Sequence, residues 1–173
     1  MSSFKHLAFA LVLSLSVSGC GFTPMYAGGT AGEKISADYQ GVEIANIPDR
    51  DGQFLRNLLT DRLYKDGTPD SAPYLLTFGK LETTIQNIGI RRDATSTRGL
   101  MQVTGHMTLT DKATGKVLLE KEYRSVGAYN QLDNQFATLI SKDNLNDHVI
   151  EEIADNIVTD LGLYFRRANT DTK

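Results

Sequence analysis

One cysteine occurs among the 173 residues, Cys20. It closes the stretch Leu15-Ser16-Val17-Ser18-Gly19-Cys20, in which small residues precede a lone thiol at the end of an apolar run. That spacing is a lipobox: a peptidase cuts after Gly19, and Cys20 becomes an acylated N-terminus. Lys5 supplies a short basic region, and residues 7–17 supply an apolar run broken by two serines. The run is too short to span a bilayer comfortably, so it reads as a cleaved signal and not as a membrane helix. An ordinary secretory signal with an incidental Cys20 is the competing reading, and no Ala-x-Ala site nearby supports it. Gly21 stands where inner-membrane lipoproteins carry an aspartate, which directs the expectation to the outer membrane of a Gram-negative cell. Several acyl chains on one residue would hold the protein there almost permanently, whereas one binds only reversibly.

The second chemical feature is cationic. Arg91, Arg92 and Arg98 bracket one loop in a chain whose net charge is -3. The planar guanidinium fork makes paired, charge-assisted bonds to phosphate, so converging arginines suit a phosphorylated ligand. The alternative is a solvated hairpin tip whose basic residues guard a strand edge. Lys142, taken alone, reads as an ordinary surface lysine. With this acidic balance, no global basic field recruits nucleic acid.

Catalytic constellations are scarce. His6 leaves with the signal, and His106 and His148 fall on a strand and a helix without metal-ligand spacing. Asp147, Glu151, Glu152 and Asp155 form a solvated helical face and not an acid/base pair. No Gly-rich phosphate loop and no Gly-x-Ser-x-Gly elbow is present. The expectation is a protein that is not an enzyme and carries no metal or other cofactor. Once Cys20 is acylated no thiol remains, so stability must come from packing.

These residues need elements to position them. Residues 1–19 form the signal. Residues 20–40, rich in Gly, Thr and Ala, form a lipidated start and tether. Residues 42–47 predict a short strand stopped by Pro48. Phe54, Leu55, Leu58, Leu59 and Leu63 then recur at helical spacing, with Asp49 or Asp51 as the cap and Gly67 and Pro69 as the stop. Residues 74–91 predict one long strand, and residues 93–99 a polar, basic turn. Met101, Val103, Met107 and Leu109 alternate with Gln102, Thr104, His106 and Thr108, the cleanest strand pattern in the chain. Residues 111–116 close a hairpin with Gly115 in the left-handed position, and residues 117–126 return as a strand. Residues 127–140 read as a connector. A final helix over residues 142–167 carries the buried stripe Leu145, Val149, Ile150, Ile153, Ile157, Leu161 and Tyr164. The order β-α-β-β-β-α predicts an α+β, two-layer α/β sandwich: a four-stranded mixed sheet with two helices on one face. The body spans residues 41–168, and residues 169–173 are a short tail.

At this point the chain resembles a known family. Cys20-Gly21-Phe22-Thr23-Pro24-Met25-Tyr26, then Arg56-Asn57-Leu58-Leu59-Thr60-Asp61-Arg62-Leu63 in the first helix, are similar to the LPS-assembly lipoproteins of the LptE family, in their alphaproteobacterial branch. Ala128-Tyr129-Asn130, Phe136-Ala137-Thr138 and Ser141-Lys142-Asp143-Asn144 continue the likeness into the acidic last helix. The resemblance implies a sandwich lodged inside the LptD β-barrel of the outer membrane, as plug and assembly partner, in direct contact with lipopolysaccharide. It implies a basic contact residue in the loop after the second strand, Arg91 or Arg92, and a lysine just before the last helix, Lys142. The polar strand face of Gln102, Thr104, His106 and Thr108 would suit a polar barrel lumen, or simply water. The rival function is a lipid-anchored accessory subunit of another envelope transport complex. Copurification separates the two: the first brings down a large barrel, the second an inner-membrane transporter.

Overall fold

In the computed structural model, residues 37–64, 67–69, 71–90, 96–131 and 134–171 are described. All belong to a compact unit that spans residues 34–173. A helical turn at residues 37–40 buries Tyr39 before the first strand begins, so these residues are packed against the body. β1 (Val42–Ile44) pairs parallel with β2 (Tyr74–Phe78), placing Ile44 opposite Leu76. β2 pairs antiparallel with the Met107 to Asp111 end of the long β4 (Ser96–Asp111), and β3 (Glu82–Ile90) with its Ser96 to Thr104 end. β5 (Val117–Asn130) pairs antiparallel with β4 over nearly its whole length. A strand has only two edges, so β2 and β3 must lie end to end along the one that β5 leaves open.

The sheet is therefore four strands wide and mixed, as expected, with the second strand interrupted. Gly79 donates its N–H to the His106 carbonyl at 2.9 Å and keeps the pairing alive across the break. Leu81, just beyond, turns inward and is buried. The alternation of β4 holds: Met101, Val103, Met107 and Leu109 are buried on one face. Their neighbours across β5 (Tyr123, Ser125 and Tyr129) are buried on the same side.

Two helices cover that face. α1 (Asp49–Leu63) buries Leu55, Leu59 and Leu63, one per turn. α2 (Gln135–Asp171) buries Val149, Ile150, Ile153, Ala154, Ile157, Val158, Leu161 and Phe165. Each such Val, Leu, Ile or Phe side chain contributes about 1.5–3 kcal/mol of burial free energy. The helices run parallel, held by Arg62 Nε donating to Asp155 Oδ1 at 2.8 Å and Asn146 Nδ2 to Asp51 Oδ1 at 3.1 Å. Leu145 packs over Gly127 of β5, where a β-carbon would collide with it.

Several local expectations are corrected. α2 starts at Gln135 and not near Lys142, because Asn134 caps it: its Oδ1 accepts the N–H of Phe136 at 3.0 Å and of Ala137 at 3.3 Å. β5 likewise runs on to Asn130, so residues 127–130 and 135–140 are strand and helix and not connector. Tyr164 is only half-buried, and Phe165 takes the end of the stripe, its ring centroid 5.3 Å from that of Tyr74. Neither aspartate caps α1, whose N-cap is Pro48 without a side-chain bond. Asp49 instead meets Lys80 at 2.9 Å with a positive φ of 65°, and Asp51 holds Asn146. α1 ends at Leu63, where Tyr64 donates its N–H to the Thr60 carbonyl, before Gly67 is reached. The 111–116 hairpin forms as expected: Asp111 Oδ1 accepts the N–H groups of Ala113 and Thr114, and Gly115 has φ 70°.

Candidate functional site

The sandwich has two unlike ends. At one end the chain enters: Asn169 Nδ2 donates to Asp38 Oδ2 at 2.8 Å, and the Tyr39 hydroxyl to the Val158 carbonyl at 3.0 Å. The β4–β5 hairpin and the C-terminus of α2 share this end. At the other lie the end of β3, the start of β4, the end of β5 and the first turns of α2. At 1.5 Å per residue, Asn169 and Leu139 are about 45 Å apart along α2.

Arg98 sits at this distal end, opposite Ile88 on β3 and Asn130 on β5. It falls on the alternate register from buried Met101 and Val103, so its side chain belongs to the sheet face that no helix covers. Leu100, Val126, Ala128 and Ile88 share that face, with Val126 and Ile88 exposed. A cation thus borders a strip of uncovered apolar side chains. Lys142 reaches the same end on α2, on the opposite side of the sheet. There Phe136, Leu139 and Ile140 lie exposed over one helical turn, Phe136 at 70 %. Spacing did not mark Phe136, Leu139 and Ile140 as a helix surface, because residues 127–140 read as a connector. The two described cations are brought to one end but to different faces. Cys20, Arg91 and Arg92 lie outside the described residues.

Toward the proximal end the open sheet face becomes polar, with Gln102, Thr104, His106 and Thr108 in the expected row. His106 Nε2 stands 3.4 Å from Glu122 Oε2, its cross-strand neighbour, and His148 Nδ1 stands 3.8 Å from Glu151 Oε2 on its own helix. Among the described residues no cluster of three or more His, Cys, Asp or Glu could hold a metal ion. None of the described helices is long and apolar enough to cross a membrane.

One polar cluster was not legible in the sequence. Asp160 Oδ2 accepts from Lys121 Nζ at 2.6 Å and from the Tyr123 hydroxyl at 2.9 Å, tying α2 to β5. Burial, then the Asp160 bond and charge, pushes the Tyr123 hydroxyl far above its ordinary pKa. The groove beside it, about 310 Å³, is lined by Lys121, Glu122, Tyr123, Arg124, Asn156, Thr159 and Asp160. No spacing rule joins Tyr123 to a residue 37 positions away. The paired charges make this a structural tie and not a reactive centre.

A family model described as LptE, lipopolysaccharide-assembly, matches residues 39–161, from before β1 into the last turns of α2. Several solved structures share the fold. A Caulobacter crescentus protein described as a lipoprotein aligns with TM-score 0.60 at 18% identity, covering 77% of this chain and 96% of that one. The minor lipoprotein of Acinetobacter baumannii aligns with TM-score 0.59 at 16% identity, covering 72% and 92%. Rare lipoprotein B from Shewanella oneidensis aligns with TM-score 0.55 at 12% identity, covering 76% and 95%. At these identities the structures speak to the fold alone. No curated protein matches the sequence.

Proposed function

Since the chain belongs to the LptE family of lipopolysaccharide-assembly proteins, we propose that it is a non-enzymatic outer-membrane subunit of the lipopolysaccharide translocon. It is anchored by acyl chains on Cys20 and lodged in the lumen of an LptD-like β-barrel, which it plugs and helps to assemble. It binds lipopolysaccharide with its distal end, through Arg98 and Lys142, together with Arg91 and Arg92.

The observation that carries this reading is the segregation of the two ends. Lipopolysaccharide presents phosphates beside acyl chains, and the distal end presents Arg98 beside Leu100 and Ala128, with Lys142 near Phe136, Leu139 and Ile140. Arginine suits the phosphates by its paired donors, and the uncovered side chains suit the acyl chains. The chain enters about 45 Å away along α2, a length close to a whole bilayer with its headgroups. In this reading the distal end reaches the level of the outer leaflet. The polar row of Gln102, Thr104, His106 and Thr108 then lies where a polar lumen would meet it.

The test is binding of purified lipopolysaccharide to the chain with Arg91, Arg92, Arg98 and Lys142 replaced by Ala. At least tenfold weaker binding, with an unchanged circular dichroism spectrum, is expected. Unaltered affinity would remove the proposed site.

A further inference from the structure

The sheet has two long outer edges, and they are not alike. β5 carries Glu120, Lys121, Glu122 and Arg124 within five consecutive positions. Charge on an edge strand resists pairing with another chain. β3 carries one charge, Glu82, and then Thr83, Thr84, Ile85, Gln86, Asn87, Ile88, Gly89 and Ile90 without a charge or a proline. Among the described strands β3 pairs only with β4, and β1 covers the edge only as far as β2. Residues 83–88 are exposed on both faces. Ile85 and Ile88 are each 39 % exposed, one on the helix side of the sheet and the other on the open side.

An open strand edge offers a row of N–H and C=O groups, and only another extended backbone matches it. The side chains beside it narrow the chemistry further. β3 itself carries no charge over eight residues, and Arg98, opposite Ile88, lies one strand further in from the edge. An uncharged segment laid alongside would cover Ile85 on one face and Ile88 on the other. β-Branched, uncharged and proline-free, the stretch is of the kind that pairs readily.

We infer that the free edge of β3 is a strand-addition site for an extended, uncharged segment of the protein in which the chain is lodged. The inference rests on the barrel-partner reading above. A closed barrel wall has no free edge, so the segment is a loop or terminal extension of the barrel protein. Nine residues of edge span about 30 Å. That is too little contact to hold a free partner unaided, so the added strand works as one part of a larger docking surface. For the same reason a second copy of this chain is a poor occupant.

Photo-crosslinking in intact outer membranes tests this, with p-benzoylphenylalanine at Thr84, Gln86 or Ile88 of β3, and at Glu120, Glu122 or Arg124 of β5. The expected result is adducts from the three β3 positions only. They should map by mass spectrometry to alternate residues of one uncharged segment of the copurified barrel protein. Introducing Thr84→Lys with Ile88→Lys should lower the Gln86 adduct at least tenfold while the barrel still copurifies. Copurification with no β3 adduct, with adducts in no common register, or with adducts to a second copy of the chain would overturn the inference and leave the functional reading standing. Absence of any barrel with the unaltered chain would overturn both.

Discussion

The Tyr129 ring packs over Gly99, its partner on the neighbouring strand, and occupies the space a β-carbon at position 99 would need. This contact seals the distal end of the core, where Tyr129 is buried beside Met101. Gly99→Ala should therefore push the ring off its seat and destabilise the fold by about 1–3 kcal/mol, measured by urea unfolding. In a Tyr129→Leu background the same substitution should cost less, because the clashing ring is gone. Equal costs in both backgrounds would show that the two residues are not coupled.

The exposed and buried apolar groups of α2 should separate cleanly. Ile153 is fully buried, and Ile153→Ala should cost about 2–5 kcal/mol. Phe136 is largely exposed, and Phe136→Ala in the isolated chain should change stability by no more than about 0.5 kcal/mol. If the distal end works as a contact surface, Phe136→Ala should instead weaken lipopolysaccharide or barrel binding. A large loss of stability from Phe136→Ala would place that ring in the core.

Alkaline pH should expose the Tyr123 tie. Its hydroxyl is held protonated by burial first, then by the Asp160 bond and charge. A tyrosine whose pKa is raised on folding stabilises the native state fully below the unfolded value of about 10, and that stability is lost as pH rises through the folded value. Stability should therefore fall above about pH 10, and Tyr123→Phe should flatten that fall. At neutral pH the same substitution should cost about 1 kcal/mol for the lost hydrogen bond. A pH profile unchanged by Tyr123→Phe would contradict the assignment.

How much of this could be read in advance depended on whether the signal was periodic or three-dimensional. Met101, Val103, Met107 and Leu109 announce their face by strict alternation, and Leu55, Leu59 and Leu63 by helical spacing, so both layers were legible. The start of α2 was not. Phe136, Leu139 and Ile140 point away from the core, so the stripe that marks the helix begins only at Leu145, and Asn134 caps a turn that carries no buried stripe. The break between β2 and β3 was hidden too, since Gly79 and Leu81 change only which way the chain turns. Arg98 and Lys142 could be named from the sequence, but not that they lie on opposite sides of one sheet. That follows from register, which only the folded chain supplies.

Anchoring has its own test. Cys20→Ala should abolish incorporation of a tagged fatty acid and release the chain from sedimented membranes. Labelling that persists in this variant would refute the lipid anchor.

The central claim is that this sandwich works as a subunit lodged within an outer-membrane pore. The direct measurement is to isolate the tagged, full chain from detergent-extracted outer membranes and to identify and quantify what accompanies it. The account predicts one large β-barrel protein in near-equal amount, with lipopolysaccharide. Recovery of the chain alone, or with an inner-membrane transporter in place of a barrel, would contradict it.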